Sequence, residues 1–267
     1  MALLPTIETA ALLALAVEIA GEVTEELRRA RARGGLQVTT KSTSTDLVTE
    51  MDVWSERHIV RRLLDARPKD GIVGEEGAAH DSSSGVRWYI DPIDGTTNYT
   101  YGHWGCSVSI SAEIDGALAV GVVHDPFTNE LFTASLGGGA FRNGVSLRCS
   151  DRDDLSLALV ATGFGYAEER RAHQARTLTH VLPRVRDIRR MGGAAIDLCS
   201  VGLGRVDAYY ERGLSPWDVA AGSLIAQEAG AVVTDLEGNP TLGYGVVVAA
   251  PPQLHGQLVQ LLLDAGA

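Results

Sequence analysis

Little in this chain of 267 residues would direct it to a membrane, a nucleic acid or an oxidising compartment. Positive charge is short: 23 Lys and Arg face 34 Asp and Glu, a formal net charge of −11. That deficit argues against a nucleic acid or an anionic membrane surface as the main partner. It does not exclude a small anionic substrate, because bound cations invert the local sign. Cysteine is scarce. Cys106, Cys149 and Cys199 stand far apart with no metal-ligand spacing, so a reduced, cytoplasmic protein is expected. Long apolar runs are missing too. The longest, Ala10 to Val17, is too short to span a bilayer and is followed by Glu18 and Glu22. No basic segment precedes it, which argues against a signal peptide. No internal repeat, composition break or long linker is visible. The expectation is one domain over residues 1–267, with an N-terminal α+β lobe to about residue 150 and a C-terminal α/β lobe beyond it.

What is present is an ordinary globular balance with clear periodicity. Residues 6–33 read as a helix with an acidic middle and a basic end, stopped by Gly34-Gly35. A polar stretch, Thr39 to Thr45, precedes a second helix that carries Val53, Ile59, Val60, Leu63 and Leu64 on one face and ends before Pro68. Short strands are expected at Ile72-Val73 and Val86–Ile90, then at 108–114, 117–123 and 130–134. Asp115-Gly116 and Asn143-Gly144 are hairpin signals. The second half alternates: strand near 158–161, helix near 167–182, strand 187–190, helix near 194–202, strand 207–211, helix 217–229, strands 231–233 and 246–249, and a helix from 252. This order predicts an α+β then α/β chain in stacked layers of helix and sheet.

The most informative stretch is Asp91-Pro92-Ile93-Asp94-Gly95-Thr96-Thr97-Asn98. A strand-like segment runs into two carboxylates; Pro92 restricts the backbone between them and Gly95 keeps the turn bare. Carboxylates and carbonyls suit hard cations, and free backbone amides suit a phosphate. Further carboxylates stand at element ends: Asp52, Glu75, Glu76, Glu211 and Asp218. Each has an ordinary reading. Thr49-x-x-Asp52 and Ser215-x-x-Asp218 match helix-capping patterns, Glu75-Glu76 a solvated turn, and Glu211 a strand-end charge. Taken together, with no His or Cys in the set, they favour Mg²⁺, with Mn²⁺ as the alternative, over zinc, copper or iron. His58, His124 and His173 stand alone on expected elements and read as surface or core residues.

These blocks carry a resemblance. Asp46-Leu47-Val48-Thr49 with Asp52, Gly74-Glu75-Glu76, Asp91 to Asn98, Gly139-Ala140-Phe141-x-Asn143-Gly144, Gly192 to Ala195, Asp207 to Glu211, and Trp217 to Gly222 occur in the order seen in the inositol monophosphatases. That family belongs to the lithium-sensitive, magnesium-dependent phosphatases. The resemblance covers nearly the whole chain, and the Asn-Tyr-x-Tyr-Gly run is most similar to bacterial members. It implies an αβαβα sandwich, a homodimer, and hydrolysis of inositol monophosphate or a similar polyol phosphate. By the same resemblance, Glu75, Asp91 and the Ile93 carbonyl would hold one metal, and Asp91, Asp94 and Asp218 a second. Glu75 would also touch a weaker third ion. Thr96, paired with Asp52, would orient the attacking water. The amides of Gly95 and Thr96 would grip the phosphate. Asp94, Ala194 and Glu211 would face the alcohol part, beside Gly193, where many relatives carry a hydroxyl residue. Histidinol phosphate, fructose 1,6-bisphosphate and 3′-phosphoadenosine 5′-phosphate are alternative substrates. A different class of role, as a partner of the transcription machinery, is the other reading, with the basic run Arg184, Arg186, Arg189 and Arg190 as its one sequence feature.

Overall fold

Gly34 and Gly35, both at positive φ, end the first helix and free the chain to turn back over the molecule. The structure, a computed structural model, describes residues 7–267. The expected helix over 6–33 is α1 (Ile7–Arg33), and residue 6 lies outside the described residues. Of the polar stretch after it, Thr39 and Thr40 lie in β1 (Val38–Thr40), and the rest forms the loop that joins β1 to β2 (Leu47–Thr49) in an antiparallel hairpin. Then follow α2 (Glu50–Ala66), β3 (Gly71–Gly74), β4 (Ala79–His80), β5 (Val86–Asp94), α3 (Thr96–Tyr101), β6 (Ser107–Ile114), β7 (Ala117–His124), β8 (Leu131–Ser135), β9 (Gly139–Arg142) and β10 (Val145–Ser146). The rest of the chain forms β11 (Leu159–Thr162), α4 (Glu168–Val181), β12 (Asp187–Arg189), α5 (Ala194–Gly202), β13 (Ala208–Arg212), α6 (Pro216–Glu228), β14 (Val232–Thr234), β15 (Val246–Ala250) and α7 (Pro252–Asp264).

Beside the β1–β2 hairpin, the described residues form two larger sheets and three helix layers. An eight-stranded sheet has the order β10-β9-β8-β7-β6-β5-β3-β4, and a five-stranded one the order β12-β11-β13-β15-β14. Leu12, Ile19, Val23 and Leu27 of α1 pack with Ile59 and Leu63 of α2 on Trp88, Ile90, Val108 and Ile110 of the larger sheet. On that sheet's other face lie α5 and α6, through Ala195, Cys199, Leu224 and Ile225 against Val123, Phe132 and Ala134. The same two helices meet the smaller sheet through Leu198, Val219 and Ala226 against Ala161, Tyr209, Val247 and Ala249. They are sandwiched, which is why they are apolar all round. Leu254 and Leu258 of α7 and Val181 of α4 close the far face. The layered α+β/α/β class is therefore the one the sequence predicts, an αβαβα sandwich.

Two local features shape the larger sheet. Both hairpin signals form as turns with φ > 0 at Asp115 and Gly116 and at Asn143 and Gly144. The second feature concerns β5, which does not stop at Ile90 but runs on to Asp94. Its pairing with β6 shifts between Asp91, opposite Ser109, and Asp94, opposite Ser107, so β5 carries one extra residue there. In a regular strand, residues three apart face opposite sides. The bulge resets that alternation and turns Asp91 and Asp94 to one side. No described helix is long and apolar enough to cross a membrane.

Candidate active site

A cavity of about 330 Å³ opens where the edge of β5, the N-termini of α3, α5 and α6, and the end of β13 converge. Glu75, Asp91, Ile93, Asp94, Gly95, Thr96, Ala194, Glu211 and Asp218 line it. Asp52 lies just behind, fully buried, in hydrogen-bond contact with the lining residue Thr96. Gly193 is also buried behind the wall. A Cβ there would come within 2.8 Å of Asp94 Oδ2, so the Asp94 carboxylate fills the space a side chain would need.

Asp52, Asp91, Asp94 and Asp218 each accept backbone amides. Asp91 Oδ1 accepts from Ile93 N at 3.0 Å. Asp94 crosses from the larger sheet to the start of α5, where Oδ1 accepts from Ala194 N at 3.1 Å and Oδ2 from Ala195 N at 2.8 Å. Both capping readings hold as well. Asp52 Oδ2 accepts from Thr49 N at 2.7 Å and from Thr49 Oγ1 at 2.6 Å. Asp218 Oδ2 accepts from Ser215 N at 2.7 Å. In each case one oxygen secures a helix start and the other is left for the cavity side. Asp52 Oδ1 takes the hydroxyl of Thr96 at 3.0 Å, and the same hydroxyl is 3.0 Å from Ile93 O. One hydrogen serves two acceptors, so the Thr96 oxygen keeps lone pairs open.

The electrostatics are those of an anionic cluster with too little counter-charge. Burial, then the charges of Glu75, Asp94 and Asp218, push Asp91 well above the usual carboxylate range. Burial pushes Asp94 up to about 7, against the pull of the Ala195 and Ala194 amides and with the charges of Glu211 and Glu75 adding to the rise. Asp218 is also pushed up to about 7, by burial and by Asp94. Glu211 reaches about 7 through burial, though Tyr209 donates its hydroxyl to Oε2 at 2.8 Å and Arg190 opposes the shift. Asp52 is raised by burial and lowered by its Thr49 bonds. Such a set of oxygen ligands without nitrogen or sulfur suits a hard divalent cation, which would remove the mutual repulsion. Among the described residues no three acidic, His or Cys side chains yet close into a finished ligand set. The Lys41 ammonium holds Glu75 at 2.8 Å and also contacts Glu76, and each Asp94 oxygen accepts one amide and keeps a lone pair.

Several residues at the site carried no signal in the sequence. Lys41 reaches it from the β1–β2 hairpin. Glu56 is 5% exposed and accepts from Glu76 N at 2.8 Å and Ala78 N at 3.0 Å, which fixes the turn bearing Glu75. Asp197, 1% exposed on α5, leaves Oδ1 without a partner among the described residues. The basic run is split. Arg190 lines the cavity, whereas Arg184 and Arg186 bond to the carbonyls of His180 and Leu157, and Arg189 pairs with Asp187.

The profile of the inositol monophosphatase family matches residues 8–267. The inositol-1-monophosphatase of Mycobacterium leprae is 46% identical over 241 residues, covering 86% of this chain and 83% of the relative. A protein of Pasteurella multocida named Nus factor SuhB is 43% identical over 230 residues, covering 85% and 86%. The crystal structure of the extragenic suppressor protein suhB from Bartonella henselae superposes with a TM-score of 0.89 at 36% identity, covering 94% of this chain and 98% of that one. With the fold, the order of its motifs and a match over almost its full length in agreement, this chain belongs to the inositol monophosphatase family.

Proposed function

We propose that the protein is a Mg²⁺-dependent phosphomonoesterase that hydrolyses inositol monophosphate or a similar polyol phosphate to the free alcohol and inorganic phosphate. The observation that carries this reading is the convergence of Glu75, Asp91, Asp94 and Asp218 on one cavity, beside a threonine hydroxyl wired to a buried carboxylate. Glu75, Asp91, Asp94, Asp218 and the Ile93 carbonyl would hold the cation, with Mn²⁺ the alternative ion. When bound, the cation offsets the charge that develops on the phosphoryl group and the leaving oxygen.

The protein's own groups do the rest. The Thr96 oxygen would orient a water and accept its hydrogen while Thr96 donates to Asp52, so Asp52 gains the proton through the hydroxyl. Burial raises Asp52 and makes it a better acceptor than an exposed aspartate. The amides of Gly95 and Thr96, at the open start of α3, would hold phosphate oxygens. Asp94, the Ala194 region and Glu211 would meet the hydroxyls of the alcohol. A homodimer belongs to the same proposal. A role as a transcription partner, which the name of the Pasteurella relative suggests, has no use for the gathered carboxylates. The test is phosphate release from inositol 1-phosphate by the purified protein in EDTA and after Mg²⁺ is restored. Activity confined to the Mg²⁺ arm is expected, and equal release in both arms would overturn the reading.

A further inference from the structure

The octapeptide ends in Asn98, a half-buried residue of α3 that the proposed reaction does not use. Its Nδ2 faces three backbone carbonyls: Trp104 O at 2.8 Å, Gly105 O at 3.0 Å and Met191 O at 2.6 Å. Among the described residues no other donor reaches these three oxygens. A carboxamide has two N–H hydrogens, so they are shared among three acceptors. Turned the other way, it would set its own oxygen against the carbonyls. One side chain therefore gathers three segments: its own at the β5–α3 junction, the loop between α3 and β6, and the residues just before α5.

These backbones meet with no side chain between them. A Cβ at Gly95 would lie 2.8 Å from Gly105 O, one at Gly105 2.9 Å from Met191 O, and one at Gly192 2.5 Å from Asn98 Nδ2. Packing gives the middle segment little hold, since residues 101–104 are all exposed and the Trp104 ring faces solvent. The third segment runs directly into α5, whose first amides, at Ala194 and Ala195, bind the Asp94 carboxylate. Residues 191–195 are thus attached at two places, to Asn98 through Met191 and to Asp94 through Ala194 and Ala195. A single tie leaves a segment free to pivot, whereas two fix its direction as well as its distance.

We infer that Asn98 is a positioning residue that sets the register between the phosphate cradle, at the amides of Gly95 and Thr96, and the start of α5, which faces the alcohol part of the ester. This inference rests on the phosphatase reading and adds to it the residue that aligns its two seats. Asn98 itself touches neither the ester nor the attacking water. Its effect falls on esters that occupy both seats at once, because a displaced α5 start misplaces the alcohol relative to the phosphorus. An ester whose leaving group has no hydroxyls to place is indifferent to that register.

Asn98→Ala and Asn98→Asp, compared with wild type, test it. Aspartate keeps the shape of the side chain but lacks the N–H donors, so it separates hydrogen bonding from volume. The kcat/KM values for inositol 1-phosphate and p-nitrophenyl phosphate are measured at saturating Mg²⁺ on the same preparation, and their ratio cancels any loss of folded enzyme. That ratio should fall about tenfold in both variants. An unchanged ratio in either variant, or failure of both to fold, would make Asn98 a residue of the fold alone and overturn the inference. Hydrogen exchange reads the same tie without turnover. In Asn98→Ala the amides of residues 105–106 and 192–195 should lose protection together, while those of β7 and β8 keep theirs. Unchanged exchange at either segment also overturns the inference. If wild type releases phosphate from neither ester the phosphatase reading ends, and the exchange comparison still decides whether Asn98 holds the two segments.

Discussion

Thr96 Oγ1 donates to Asp52 Oδ1 at 3.0 Å across a separation of 44 residues, from the first turn of α3 to the first turn of α2. Both groups are nearly sealed from solvent, at 5% and 0% exposure, so the contact has no competing water on the Asp52 side. In the proposed reaction it carries a proton away from the attacking water, and that transfer takes place as the transition state forms.

Thr96→Ala is therefore expected to lower kcat about 100-fold or more while KM changes little, within the usual range for loss of a positioned acid–base group. Steady-state kinetics with inositol 1-phosphate at saturating Mg²⁺ checks this. A large rise in KM at unchanged kcat would instead make Thr96 a phosphate-binding residue.

Asp94→Asn should cost turnover about 10²–10³-fold, the range seen when one electrostatic contact to the transition state is removed. The fold should survive. Asn keeps one acceptor for the two amides of Ala194 and Ala195, and it removes one charge from a repelling cluster. Melting curves in EDTA are expected to favour the mutant more at pH 8 than at pH 5. Near wild-type turnover would show that Asp94 serves the fold alone.

The cluster also sets how stability without a cation depends on pH. Asp94 and Asp218 rise from 3.8 to about 7, Glu211 from 4.5 to about 7, and Asp91 well above its ordinary value. A folded state with raised carboxylates binds more protons than the unfolded chain, so its stability falls as pH increases. Their contribution is complete below about pH 4 and is lost as pH rises through about 7. In EDTA the melting temperature should decline over that window, and the gain from added Mg²⁺ should grow with pH, since the cation binds the ionised form. A Mg²⁺ gain that does not vary between pH 5 and pH 8 would detach the cation from this cluster.

Glu211 is half-buried beside Tyr209 at one end of the cavity wall. Glu211→Gln retains an acceptor but loses charge. It should reduce kcat/KM for inositol 1-phosphate by about 1–3 kcal/mol, the range for a charge-assisted hydrogen bond, and harm p-nitrophenyl phosphate much less. An equal loss on both esters would assign Glu211 to the cation or the fold.

Much of this was legible in the residues. Residues 194–202 read as a helix, and they form α5 over those same residues because small and apolar side chains there are packed on every side. The two Gly-containing hairpin turns were legible because a φ > 0 requirement leaves a direct mark in sequence. The strand that the residues mark over Val86–Ile90 extends through both aspartates, and α3 begins at Thr96. A bulge is a property of two paired strands, and nothing in residues 91–94 alone records that Ser107 and Ser109 lie opposite. The β1–β2 hairpin was missed for a similar reason. All three residues of β1 are exposed, so no buried alternation marks it. Lys41 and Glu56 were invisible because each reaches the site from a distant segment.

The double duty of Asp52 and Asp218 changes what selection can do with this protein. Active-site carboxylates are usually a burden on the apo fold, and discarding them tends to make a protein more robust at the expense of its chemistry. Asp94 also holds the first two amides of α5, and only a change to Asn, which keeps one acceptor there, conforms to that pattern. At Asp52 and Asp218, however, one oxygen secures the start of α2 or α6, so alanine there frays a helix that the layers are built on. Melting in EDTA should fall for Asp52→Ala and Asp218→Ala, and a rise for both would refute the coupling. At these two positions heat tolerance and catalysis are inherited together, and a search for sturdier variants will keep the reactive groups without being asked to.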